Sequence, residues 1–307
     1  MTLTLQIALL IALHFVLPGV YILRLIRTEF LDKASWLNQI LQGMALVGFV
    51  TLVGRWDWFS RYLRFLPLIL MTLAVAVSLP KIIGKPNYRS ELHKPWWRQG
   101  LRWLETGLVT AAVVVALTGL QVEPKAINLS FPLEDGEFQV AQGGGSILLN
   151  AHRPNQAQAY AVDIVELNSL GARAKGLYPN QVSAYKIYGE KVLSPCAGAV
   201  VKKQTGLPDL IPPERDTRNL AGNHLVIRCK GTDILLAHLQ EGSIDVEKGQ
   251  RVEAQEPLAR VGNSGNTTEP HLHIHAVRQG SGSVMDGAPV PITFKGRFPV
   301  RNSIFAR

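Results

Sequence analysis

The chain has 307 residues, 47% of them apolar, and a net charge of +9, which suits one ordinary domain plus a membrane region or two soluble domains. The charge is uneven: residues 1–120 hold 12 Lys and Arg against 5 Asp and Glu, whereas residues 121–307 hold 20 against 18. The basicity belongs to the apolar half, and the nearly neutral remainder, with no RNA-binding or helix-turn-helix pattern, excludes nucleic acid as an expected partner.

Four apolar stretches come first: Leu3–Leu23, Leu37–Val53, Phe65–Leu79 and Gly107–Leu120. Only the first reaches the roughly 20 apolar residues that a bilayer core requires. The other three lengthen if flanking Trp, Tyr, Lys and Arg sit at the interfaces, and four spans in a lipid bilayer are expected. The start, Met1-Thr2-Leu3-Thr4, lacks the basic residues and the cleavage pattern of a removable signal, so the first stretch is expected to remain.

The connectors carry Arg24, Arg27 and Lys33; then Arg55, Arg61 and Arg64; then Lys81, Lys85, Arg89, Lys94, Arg98 and Arg102. The first and third are the more basic, and the positive-inside rule then places both termini outside the cytoplasm.

Beyond Leu120 the pattern becomes short alternating segments separated by Gly, Asn, Asp and Pro. Expected strands are Glu137–Ala141, Ser146–Ala151, Ala159–Val165, Ala199–Lys203, His224–Cys229, Asp233–Leu239, Pro257–Val261 and His271–Val277. Such spacing, with no long amphipathic helix, predicts an all-β antiparallel domain. Gly206–Leu220, with three prolines, reads as a long loop.

Histidines 271, 273 and 275 lie at strand spacing and would project from one face, a platform for zinc if three ligands leave a fourth position open. A solvated row of histidines is the plainer alternative. Asp163, within Ala159-Tyr160-Ala161-Val162-Asp163-Ile164-Val165, needs a partner that offsets its desolvation unless it faces solvent at a strand end. His152 sits in a polar connection just before it, and His238 lies in Leu235-Leu236-Ala237-His238-Leu239. Either alone reads as an ordinary structural or surface histidine.

Taken in order, Asp163-Ile164-Val165, Leu193–Val201, Gly222-Asn223-His224-Leu225-Val226-Ile227, Leu236-Ala237-His238-Leu239, Val246–Val252, Val261–Thr267 and Pro270-His271-Leu272-His273 resemble the lysostaphin/LytM-type zinc metallopeptidases over roughly residues 146–278. The resemblance implies an antiparallel β-fold, one zinc ion and endopeptidase cleavage of peptide cross-links in peptidoglycan. Carried over by motif, the metal ligands are His152, Asp163 and His273, and the catalytic histidines are His238 and His271. The family spaces its early histidine four residues before the aspartate, where this chain has Ala159. His152 takes the role because no other histidine of the domain precedes Asp163.

The implied chemistry is activation of a water and polarisation of the scissile carbonyl by zinc, with His238 and His271 orienting or deprotonating that water and stabilising the oxyanion. There is no His-Glu-x-x-His glutamate. His275 is expected to support the site or face solvent, and His224 to line the cleft; neither takes a primary role.

The implied organisation is a membrane region over 1–120, a linker and leading strand over 121–145, the zinc metallopeptidase domain over 146–280 and a C-terminal extension over 281–307. The catalytic part is expected outside the cytoplasm. Cys196 and Cys229 are compatible with a disulfide or with two buried thiols. Two rivals are a catalytically inactive LytM-like domain that binds peptidoglycan or regulates another hydrolase, and a lipoyl-like carrier module, which lacks a lysine in the Met-Lys context. Protein partners are not readable.

Overall fold

The structure, a computed structural model, describes residues 3–87, 96–121, 124–280 and 283–306. Arg89 and Lys94 of the third connector lie outside the described residues. The chain divides into two compact units, one formed by 1–55 and 62–117, the other by 56–61 and 118–307.

In the first unit, α1 (Leu3–Ile11) passes through one π-helical turn (Ala12–Val16) into α2 (Leu17–Arg27). Pro18, which has no N–H to give, lies inside this continuous helical run just after the π-helical turn. Next come α3 (Lys33–Val53), α4 (Leu66–Ser78) and α5 (Trp96–Thr118). Asp32 caps α3 by accepting from the Ser35 N–H at 2.8 Å.

Leu25, Phe30, Val47, Met71, Ala74 and Ile82 pack together. Gly43 gives the Met71 side chain the room it occupies against α3. Leu5, Leu9, Leu41, Ile69 and Leu73 point outward while Gln42, Thr51 and Ser78 are buried, the reverse of a soluble helical bundle. Three helical runs, Leu3–Arg27, Lys33–Val53 and Arg61–Ile82, are long and apolar enough to cross a membrane, and Trp103–Thr118 is a shorter apolar helix.

The second unit contains β1 (Ile127–Leu129), β2 (Glu137–Gln142), β3 (Val162–Glu166), β4 (Lys191–Leu193), β5 (Gly198–Gln204), β6 (Asn223–Cys229), β7 (Thr232–Leu239), β8 (Arg251–Val252), β9 (Pro257–Arg260), β10 (Leu272–Arg278), β11 (Pro289–Val290), β12 (Ile292–Phe294) and β13 (Ile304–Ala306). The main sheet runs β13-β2-β3-β10-β7-β6-β5-β8, with β11 also on β10; every pairing in it is antiparallel. The small β1–β12 pair is parallel. A disulfide joins Cys196 and Cys229, with Cα atoms 6.2 Å apart.

The expected strand at Ser146–Ala151 is instead a series of turns. Leu149 and Asn150 N–H groups both return to the Ser146 carbonyl at 3.1 and 2.9 Å, so the local backbone bonds that a strand would present to neighbours are already used.

Both faces of the sheet centre are covered, which is why its strands are buried almost throughout. Leu272, Ile274 and Ala276 of β10 join Ile164, Ile234, Leu236, Leu225 and Ile227 in the main core. Val277 shares the opposite face with Leu235, Ala237, Ala157 and Val284. Alternation puts His273 and His275 on that second face.

Candidate metal centre

In β3 the core-facing residues are Val162 and Ile164, so Asp163 points to the second face. The antiparallel register sets Asp163 directly opposite His273, which brings their side chains together on that face. Asp163 Oδ1 lies 2.8 Å from His273 Nδ1. Two adjacent central strands therefore create the first pair of the site.

His152 reaches the same carboxylate from the loop before β3, with Nε2 2.9 Å from Asp163 Oδ2. The loop turns repeatedly: Asn155 N–H donates to His152 O at 2.9 Å, Gln158 to Asn155 at 3.1 Å and Ala161 to Gln158 at 2.8 Å. Buried Asn150 clamps its ends, donating from Nδ2 to Ala161 O at 3.0 Å and to Gly144 O at 3.3 Å. The Asn150 Oδ1 accepts the His152 N–H at 3.1 Å. Folding back in this way brings a histidine eleven positions upstream to the carboxylate.

His238 requires a different device. Alternation from Ile234 and Leu236 would send it into the core. The β6–β7 register shifts between Asn223 and Leu225, and His238 takes φ 63°, a left-handed conformation that costs a non-glycine residue on the order of 1 kcal/mol. The combination turns its ring toward His271 and His273, at centroid distances of 4.8 and 5.8 Å. Its Nδ1–H donates to Ser264 O at 2.9 Å, leaving Nε2 with a lone pair. Gly222, at φ 57°, lies against that Ser264 carbonyl, where a side chain would displace it.

His271, just before β10, donates from Nδ1 to Glu269 O at 2.9 Å, so that in the neutral ring Nε2 carries the lone pair; Nε2 lies 3.6 Å from Asp163 Oδ1. The five residues of interest thus meet in one place. Possible ligand atoms of His152, Asp163 and His273 lie within 4.8 Å of one another, as do those of His238, His271 and His273. His152, His238 and His273 line a cavity of 260 Å³ together with Asn155, Gln158 and Asn266. A larger cavity, 540 Å³, borders the disulfide and has no His, Asp or Glu among its lining residues.

His275 supports the centre from behind. Its Nε2 must donate to Val284 O, 2.7 Å away, because a carbonyl can only accept. Burial, and then His273, pushes the His275 pKa down to about 3, so the ring is neutral and its Nδ1 is an acceptor. The His273 Nε2–H fills that role at 2.9 Å. A neutral His273 then presents the lone pair of Nδ1 to a carboxylate oxygen, an arrangement that requires a cation between them, either a proton or a metal ion.

Burial opposes a proton there by lowering the His273 pKa. It likewise lowers that of His238, with His271 and His273 adding to the effect. Neutral imidazole is the ligating form. Burial alone would raise the Asp163 pKa, but His152, through its charge and its hydrogen bond, and His271 hold its carboxyl well below the usual range. For His152, burial is outweighed by Asp163, and its pKa is raised. Two imidazoles and a carboxylate converging in this way fit a zinc ion.

His224 stands apart from the cavity lining, its Nδ1–H donating to Gly222 O at 2.8 Å. Sequence reasoning missed the groups that hold the histidines: Ser264, Glu269 and Val284 act through main-chain carbonyls, which no side-chain pattern reports. Thr267, whose hydroxyl lies 3.2 Å from His271 Nδ1, was visible only as a polar residue before the histidine run.

An antiparallel sheet carrying a buried His/Asp cluster at its centre makes this unit a candidate metal-binding domain. Residues 182–285 match Peptidase family M23, and the second unit carries a domain of that family. The match includes His238, His271 and His273 and begins after His152 and Asp163.

Among solved structures, a zinc-containing peptidase from Vibrio cholerae is 21% identical, covering 54% of this chain and 41% of its own, with a TM-score of 0.33. The catalytic domain of lysostaphin from Staphylococcus simulans is 18% identical, covering 38% and 84%, with a TM-score of 0.24. A SpoIIIAH–SpoIIQ complex is 13% identical, covering 53% and 96%, at 0.34. The chain spans about two fifths of the length of the Vibrio cholerae peptidase. No curated protein matches the chain.

Proposed function

We propose that the chain is a membrane-anchored, zinc-dependent endopeptidase that hydrolyses peptide cross-links of peptidoglycan outside the cytoplasm. The observation that carries this reading is the convergence of His152, Asp163 and His273 beside two further histidines, each tied through Nδ1 to a main-chain carbonyl. His152, Asp163 and His273 hold the ion, which supplies Lewis acidity toward the scissile carbonyl and the attacking water. His238 and His271 divide the remaining roles: a ring whose Nε2 carries a lone pair accepts the proton of the attacking water and returns it to the leaving amine, and a ring whose Nε2 carries a proton donates to the developing oxyanion. The positioned pair replaces the glutamate of other zinc peptidases.

Membrane anchoring is supported by the three long apolar runs. An outward catalytic unit is supported by the basic first and third connectors. The M23 match supports peptidoglycan as the substrate class.

The test uses the full chain in detergent micelles, with isolated peptidoglycan sacculi as substrate. About one zinc per chain and release of peptides with new amino termini are expected, with both zinc and release lost in His273→Ala. A zinc-free wild type would overturn the metal assignment. A zinc-loaded wild type inert on several peptidoglycan types would favour the binding or regulatory role instead.

A further inference from the structure

The six residues Trp56–Arg61 lie in sequence between two apolar helices, yet belong to the catalytic unit. Trp56 and Asp57 are fully buried there, and Trp58 nearly so. The segment is held at several points: Asp57 O accepts the Arg173 N–H at 2.9 Å and Gly171 O accepts the Arg61 N–H at 2.8 Å. Ser60 Oγ donates to Leu170 O at 2.7 Å, and Arg61 pairs with Glu137 at 2.8 Å.

Its partner Arg173 is almost wholly buried, with the guanidinium 4.2 Å from the Trp58 ring centroid and 3.8 Å from Asp57 Oδ2. It donates to Glu269 Oε2 from Nε at 2.7 Å and from Nη2 at 2.6 Å. A guanidinium packed against two buried carboxylates and an aromatic face is costly to displace, because displacement leaves buried charge uncompensated.

Glu269 carries this fixity into the site, since its main-chain carbonyl receives the His271 Nδ1–H. Thr267 Oγ1 donates to the same carbonyl at 2.7 Å. A second route runs beside the first: the Trp58 and Tyr178 rings lie 5.2 Å apart, and the Tyr178 hydroxyl donates to Thr268 O at 2.6 Å. Two lines of contact from one hexapeptide end on the turn 267–271.

We infer that Asp57 and Trp58 are positioning residues for His271, acting through Arg173 and Tyr178 to hold the Glu269 carbonyl that selects the His271 tautomer. The membrane half of the sequence thereby supplies part of the catalytic unit. The inference rests on the hydrolytic reading above only for its kinetic consequence; the tautomer itself is measurable without turnover.

The experiment compares full-length wild type with Asp57→Asn, Asp57→Ala and Trp58→Phe in detergent micelles. A control, Phe305→Ala, opens the distant Phe131/Phe294/Phe305 cluster and lowers stability without touching the turn. Histidine 15N spectra of the metal-free protein at one fixed pH, with His271→Ala for assignment, report the tautomer. Wild type should show a single Nδ1-protonated His271, while Asp57→Ala and Trp58→Phe show mixed or exchanging tautomers and the control does not.

On sacculi, kcat should fall at least tenfold in Asp57→Ala with KM within twofold and zinc content unchanged, and Asp57→Asn should recover part of the loss. An unchanged His271 spectrum in folded Asp57→Ala and Trp58→Phe would overturn the inference, as would equal kcat losses in the control. Should Asp57→Ala fail to fold, Asp57→Asn and Trp58→Phe decide by the same spectra. A wild type that shows the single tautomer but cleaves nothing would sink the hydrolytic reading and leave this one standing.

Discussion

At the scale of single residues, the centre is built from tautomers as much as from positions. A carbonyl oxygen accepts one ring N–H of His238, of His271 and of His275, and each such bond decides what the other nitrogen can do. For His275 the effect is relayed, since Val284 O fixes His275 and His275 in turn fixes His273. Replacing His275 with Phe keeps an aromatic ring but removes both the acceptor for His273 Nε2–H and the donor to Val284 O. Groups that orient a ligating imidazole are worth about 10–100-fold in metal affinity, so His275→Phe should bind zinc weaker by that factor. The unsatisfied Val284 carbonyl should cost about 1–3 kcal/mol of stability besides. Competition against a chelator of known affinity reads the first and urea unfolding the second; undiminished affinity would remove His275 from the design.

At the scale of elements, the centre depends on a register, a bulge and a folded-back loop. The Asp163–His273 pairing is a property of β3 lying beside β10, and His238 joins only because β7 breaks alternation. The loop from Asn150 to Ala161 is the third part, closed by a buried amide that makes three hydrogen bonds. Asn150→Ala leaves two carbonyls and the His152 N–H without their partner. It should destabilise the unit by about 2 kcal/mol and weaken zinc binding at least tenfold, because His152 then pays loop-ordering entropy on ligation. Calorimetry and zinc titration of the same variant check the two halves, and zinc affinity equal to wild type would show that the loop stays closed without the amide.

These elements were not equally legible. Strands β6, β7 and β10 are readable from alternation because one of their faces is uniformly aliphatic, and the loop 206–220 from its prolines. Ser146–Ala151 misled, since Ile147, Leu148 and Leu149 suggest a strand while the bonds returning to Ser146 O are local and silent in composition. The five site residues could be nominated by motif order, but not the fold-back of His152, whose clamp joins Asn150 to Gly144 and Ala161. Nor could the tie between Arg173 and Glu269 be read, because 96 positions separate the partners and no periodicity links them.

At the scale of the molecule, the placing of Trp56–Arg61 bears on how the chain crosses a bilayer. Residues 56–61 and 118–307 fold as one unit, and if the apolar runs cross a bilayer an even number of crossings is predicted between them. Arg61–Ile82 is long and apolar enough to be one. The predicted second is α5, although its apolar part, Trp103–Thr118, is short. The two earlier runs, Leu3–Arg27 and Lys33–Val53, would add another even pair, which predicts the N-terminus on that same side. This predicted parity agrees with the expectation from the charge count, a cytoplasmic side for the connectors bearing Arg24, Arg27 and Lys33 and bearing Lys81 and Lys85.

Single cysteines substituted for Glu29 and for Lys125, both exposed, separate the possibilities. With the native cysteines paired in the disulfide, a membrane-impermeant maleimide added to intact cells, with the outer envelope permeabilised where there is one, should label Lys125→Cys and spare Glu29→Cys until the inner bilayer is broken. Labelling of Glu29→Cys alone would invert the topology and put the catalytic unit in the cytoplasm, away from peptidoglycan. Labelling of both would mean that Leu3–Arg27 and Lys33–Val53 do not frame a cytoplasmic turn, and the even count would have to be met by Arg61–Ile82 and α5 alone.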